Sequence, residues 1–179
     1  MNAIRIAALT LFLMPSITLA QETRSPFYSF SFPSADGGTL EMSDWQGRPV
    51  LVVNTASRCG FTPQYDALQE VYDQYSAQGM VVLAVPSDDF GQELSDVDAV
   101  KEFCEVNFDL TLPMTDITVV TGENAHEFYQ WVKSETGFSP RWNFNKILIS
   151  DAGEIAGTWA SSVSPTSAKI VDSVRPFLH

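Results

Sequence analysis

Apolar positions fall in two kinds of run. "PVLVVNTA" and "MVVLAVP" (Met80 to Pro86) are nearly continuous and rich in valine, which suits strands buried on both faces. Between them Tyr65, Leu68, Val71, Tyr72 and Tyr75 recur at helical spacing, predicting a helix from Pro63 to Ala77 with Gly79 just past its end. Strand, helix and strand over so short a stretch make a βαβ crossover, expected to be right-handed. Upstream, "FYSFSF" (Phe27 to Phe32) and "GTLEM" (Gly38 to Met42) read as short strands around the turn "SADGG".

Downstream, helical spacing returns from Val97 to Val106, with Val100, Phe103 and Cys104 on one side. It returns again over Asn124 to Thr136, with Ala125, Phe128, Tyr129 and Val132 as the stripe. "NKILIS" and "EIAGTWA" flank Asp151-Ala152-Gly153, a hairpin signal. A helix-like stretch, Ser167 to Phe177, closes the chain. This order predicts an α/β domain with a central mixed β-sheet flanked by helices, which is the thioredoxin-like arrangement.

Composition narrows the reading. A chain of 179 residues, 45% hydrophobic and 18% charged, suits one domain with its own core. A formal charge of −12 argues against binding nucleic acid. Residues 1–20 carry one early charge, Arg5, then an apolar run, Ile6 to Met14, and small residues at Thr18 and Ala20. That pattern is expected of a secretory signal peptide, leaving residues 21–179 as the mature domain, and the run is short for a membrane span. A bacterial periplasm is the expected location, an oxidising setting that bears on the two cysteines.

Cys59 follows the first buried strand and precedes the first long helix, in "NTASRCGFTP". Backbone N–H groups at such a place favour a thiolate, the species that attacks, and Arg58 stands beside it. A buried, inert cysteine fits the same position. Three residues on, where a dithiol motif has its second cysteine, stands Thr62, so exchange through a neighbouring thiol is excluded. Ala56 occupies the place where a peroxiredoxin-type site has threonine.

The stretch "NTASRCGFTPQYDALQEVYDQY" resembles the first signature of glutathione peroxidases, in the form with cysteine in place of selenocysteine. "DDFGQE" (Asp88 to Glu93) is similar to the second, though one residue shorter, and "RWNFNKILIS" (Arg141 to Ser150) to the third. The likeness runs from about Phe27 to Leu178.

It implies a peroxide site of Cys59, Gln92, Trp142 and Asn143, with no metal and no bound cofactor. It also implies reduction of hydrogen peroxide or organic hydroperoxides. Cys104, in "VKEFCEVNF", stands where cysteine-type relatives carry the thiol that resolves the oxidised nucleophile. No basic cluster suited to the carboxylates of glutathione is evident. A thioredoxin-like protein is therefore the expected reductant ahead of glutathione.

Monomer is the default, and no stable membrane association is expected after cleavage. Asp88 and Asp89 read as solvated loop charges, His126 and His179 show no metal spacing, and Trp45, Trp131 and Trp159 read as packing residues. A thiol–disulfide oxidoreductase and a non-catalytic secreted protein on the same fold are the alternatives.

Overall fold

The computed structural model describes residues 25–179; the expected signal peptide, residues 1–20, lies outside them. Two short strands pair antiparallel, β1 (Ser31–Pro33) and β2 (Thr39–Glu41). The central sheet holds β3 (Val50–Thr55), β4 (Val81–Pro86), β5 (Lys146–Ile149) and β6 (Ile155–Trp159) in the order β4-β3-β5-β6. β3 and β4 run parallel, whereas β5 lies antiparallel to both β3 and β6. This is the mixed sheet expected from the sequence.

Each strand of the inner pair is buried along its whole length, as the valine-rich runs require. Alternation divides their side chains between two apolar layers. Leu51, Val53, Val82 and Ala84 face a layer completed by α1 (Gln64–Tyr75), α2 (Val97–Phe108) and α4 (Ala168–Val174). Val50, Val52, Val81 and Leu83 face the layer of α3 (Glu127–Thr136) and the N-terminal segment. Both cysteines lie in the first layer.

Helix ends follow local chemistry. Asp96 caps α2 by accepting from the N–H groups of Asp98 and Ala99, and His126 caps α3 through Nδ1 from Phe128 N–H. His126 also stacks on Phe32 with ring centres 3.9 Å apart, so it has a structural role. α1 closes through a 3-10 turn, Ser76–Gln78, into Gly79 at φ +95°.

The first expected strand is the main correction. Pro26–Ser29 form a 3-10 turn, because Pro26 sets φ at its start and Ser25 Oγ accepts from Phe27 N–H. The strand itself is confined to Ser31–Pro33. The turn buries Phe27 and Tyr28, and Tyr28 Oη donates to the Asp151 carbonyl in the β5–β6 hairpin. Gly153 in that hairpin has φ +81°, and an added Cβ would meet Tyr28 at 2.7 Å. Glycine is therefore required there twice over.

Candidate active site

Cys59 sits in a turn between β3 and α1, five residues before the helix begins, rather than on its first turn. Thr62, seen in the sequence only as the missing second cysteine, builds that turn. Its Oγ1 accepts from Cys59 N–H at 3.0 Å and donates to the Ala56 carbonyl at 2.8 Å. Cys59 Sγ accepts from Phe61 N–H at 3.4 Å, a contact that an anionic sulfur uses better than a neutral thiol. The thiol is 6% exposed.

The loop after β4 closes on this turn. Arg58 N–H donates to the Gln92 carbonyl at 2.9 Å, and Ser57 N–H donates to Glu93 Oε1 at 2.9 Å. Gln92, in the shortened second motif, then meets the third motif: Asn143 Nδ2 donates to Gln92 Oε1 at 3.1 Å. Asn143 is fully buried, and its Oδ1 has no partner. The cysteine turn, Gln92 and Asn143 are thus linked, through Arg58, by segments far apart in sequence.

Trp142 is 41% exposed and leans on Phe90, with ring centres 5.5 Å apart. It walls a cleft of about 650 Å³ together with Phe61, Phe138 and Arg141. The cleft reaches the cysteine turn at Phe61. Arg141 is the cation on its rim.

Asn54 at the end of β3 holds the Trp142–Asn145 segment, and nothing in the local pattern announced it. Its Nδ2 donates to the Trp142 carbonyl at 3.0 Å, and its Oδ1 accepts from Asn145 N–H at 3.0 Å. Its own carbonyl accepts from Phe144 N–H at 2.5 Å. Phe144 has φ +60°, a left-handed conformation unusual for an aromatic residue. Burial of its ring against Tyr65 and two flanking clamps sustain that strain, which turns Asn143 toward Gln92.

Asp88 and Asp89 are exposed loop residues, as expected, and their carboxylates also brace the loop. Asp88 Oδ1 accepts from Glu93 N–H at 3.1 Å, and Asp89 Oδ2 accepts from the N–H groups of Val120 and Thr121 at 2.7 and 2.8 Å. They fix the loop that carries Gln92. Glu93 is buried, and burial pushes its carboxyl upward.

Cys104 does not touch Cys59 through a bond; both are free thiols. It lies fully buried in α2, facing the Tyr65 hydroxyl, which makes no hydrogen bond of normal geometry. Burial pushes the Cys104 thiol up to about 11, with the Glu93 carboxylate adding to the rise and Tyr65 opposing it. Trp45, Trp131 and Trp159 pack against the two apolar layers, as expected of them.

Residues 27–133 match the family model described as glutathione peroxidase. A glutathione peroxidase-like peroxiredoxin of Chlamydomonas reinhardtii is 38% identical over 146 residues, 79% of this chain and 90% of that protein. Among solved structures, T. cruzi GPX1 aligns with a TM-score of 0.65 at 28% identity, covering 84% of this chain and 95% of that one. A thiol:disulfide interchange protein of Chlorobium tepidum aligns with a TM-score of 0.64 at 14% identity, over 87% of this chain and 99% of that one. That last likeness establishes the thioredoxin-like fold alone.

Proposed function

The chain belongs to the glutathione peroxidase family, and we propose that this thiol peroxidase acts through Cys59 in the setting of Gln92, Trp142 and Asn143. The observation that carries the assignment is the hydrogen-bonded pair of Asn143 and Gln92, tied to the cysteine turn through Arg58.

The Cys59 thiolate attacks the nearer peroxide oxygen. A sulfur–oxygen bond forms, the O–O bond breaks, and an alcohol or water leaves after taking a proton. Amides of Gln92 and Asn143 and the indole of Trp142 are neutral donors suited to the oxygen that gains charge. The unpaired Asn143 Oδ1 suits a hydroxyl donor, such as the O–H of a hydroperoxide. The cleft beside Phe61 and Trp142 has room for an organic hydroperoxide as well as hydrogen peroxide.

The Cys59 sulfenic acid then condenses with the Cys104 thiol, forming a disulfide and releasing water. Cys104 sits inside a helix, so this step requires α2 to open locally. A dithiol reductant of the thioredoxin type restores both thiols, and glutathione is the second candidate. Arg141 as the sole cation among the principal cleft residues supports that order. A bacterial periplasm is the location we propose for the mature protein, from the N-terminal pattern, with monomer as the default state.

The test is a peptide map after one equivalent of hydrogen peroxide. Two thiols should disappear and a 59–104 disulfide appear. Unchanged peroxide consumption by Cys59→Ser would sink the assignment.

A further inference from the structure

Lys146 lies in β5 opposite Val53 of β3 and Trp159 of β6. Alternation puts its side chain on the Leu148 side of the sheet, the layer that holds Cys59. It is fully buried, and a lysine in such a place normally has a counter-charge. Here there is none. Nζ donates to Gln64 Oε1 at 2.5 Å and to the Ser161 carbonyl at 3.1 Å. Two acceptors match the two N–H bonds of an uncharged amine. The third hydrogen of an ammonium would be buried without a partner. Burial pushes the amine down to about 7.

Both acceptors lead back to the peroxide site. Gln64 is the first residue of α1, the helix into which the cysteine turn runs, and its Nε2 also donates to the Ser161 carbonyl at 2.7 Å. Ser161 Oγ donates to the Asn143 carbonyl at 2.6 Å and accepts from Asn145 Nδ2 at 2.9 Å. One amine therefore joins the start of α1, the loop after β6 and the segment that aims Asn143.

The groups facing it carry no charge. β3 offers Val53, β6 offers Trp159, and residues 160–163 contain no titratable side chain. Of α1, Asp66 is exposed and lines a separate surface hollow, and Tyr65 faces Cys104. Cys59 and Tyr65 share its apolar layer, yet burial is the whole cause of the amine's shift.

We propose that Lys146 is a positioning residue that works as an uncharged amine, and that its protonation loosens the Asn143 segment and slows the attack of Cys59 on peroxide. The kinetic consequence rests on the peroxidase reading; the charge state does not.

Both are tested in the Cys104→Ser background by measuring Cys59 oxidation by hydrogen peroxide and Cys59 alkylation by iodoacetamide across pH. Alkylation follows thiolate ionisation alone, so the ratio of the two rates isolates the lysine. The ratio should fall roughly tenfold between pH 8 and pH 6, as the neutral fraction of a group titrating at about 7 does. In Lys146→Gln, whose amide keeps two N–H donors and cannot be protonated there, the ratio should be flat.

Nitrogen-15 NMR of the lysine amines in the unaltered protein supplies a readout independent of catalysis and of how the variant folds. One amine should titrate near 7 rather than near the ordinary ~10.4. All lysines titrating normally, or a wild-type ratio that stays flat while peroxide is consumed, would overturn the proposal. No peroxide oxidation at any pH, with one amine still titrating near 7, would instead mark failure of the peroxidase reading.

Discussion

Cys59 and Cys104 occupy the same apolar layer, are both buried and are both free thiols. Their settings differ in what the backbone does. Cys59 stands in a turn beside a cleft, with an N–H pointing at its sulfur and the Gln92–Asn143 pair tied to its neighbour. Cys104 is threaded into a capped helix, over a tyrosine hydroxyl and near a buried carboxylate that disfavours its thiolate. Burial alone does not decide whether a thiol reacts. Local donors and a backbone free to admit a partner do.

The sharpest way to break that contrast is to exchange the thiols' fates. Cys59→Ser should lower peroxide consumption by more than about a thousandfold, because removing a nucleophile removes the covalent step. Cys104→Ser should leave one rapid equivalent of Cys59 oxidation and abolish the 59–104 disulfide. Stopped-flow peroxide loss and non-reducing mass spectrometry check both. A second measurement needs no catalysis. At pH 8 only about one Cys104 thiol in a thousand is ionised, given its rise to about 11. Alkylation of Cys59 should therefore outrun that of Cys104 by at least about a hundredfold.

The contrast was only partly legible in the sequence. Valine-rich runs and the Tyr65–Tyr75 spacing mark β3, α1 and β4, because burial on both faces and helical period leave local traces. The stretch Phe27–Phe32 misled, since alternating aromatics favour a strand while Pro26 and Ser25 favour a turn. Gln92, Trp142 and Asn143 were legible through likeness of motif, not through any spacing to Cys59. Asn54, Thr62, Glu93 and Lys146 left no signal as supporting residues. Their roles come from where distant segments close on one another, and a polar residue does not announce that it will be buried.

Stability offers a smaller, thermodynamic version of the same comparison. In the unfolded chain Cys104 ionises near 9.0, whereas in the fold it stays a thiol up to about 11. The folded state binds the extra proton between those values, so Cys104 stabilises the fold below pH 9. That contribution is lost as pH rises through 11. The loss should be on the order of 2 kcal/mol. Denaturant unfolding of wild type and Cys104→Ala at intervals from pH 8 to pH 11 should show the difference between them narrowing. A constant difference would mean that the helix does not hold the thiol protonated.

The mildest perturbation separates the two cysteines most cleanly. Asp96 is exposed, and its carboxylate accepts from two N–H groups at the start of α2. Asp96→Ala should cost about 1 kcal/mol of helix stability, the usual effect of losing such a cap. If Cys104 reacts only when α2 opens, that cost raises the open population about fivefold. Cys104 alkylation and disulfide formation after a peroxide pulse should both rise by that factor. Oxidation of Cys59 should not change, because the hydrogen bonds of Asp96 run to Asp98, Ala99 and Val100 of α2 and not to the cysteine turn. A rise in both steps would mean that α2 also governs the nucleophile. No rise in either would mean that Cys104 is reached without opening the helix, and its burial would then be no barrier at all.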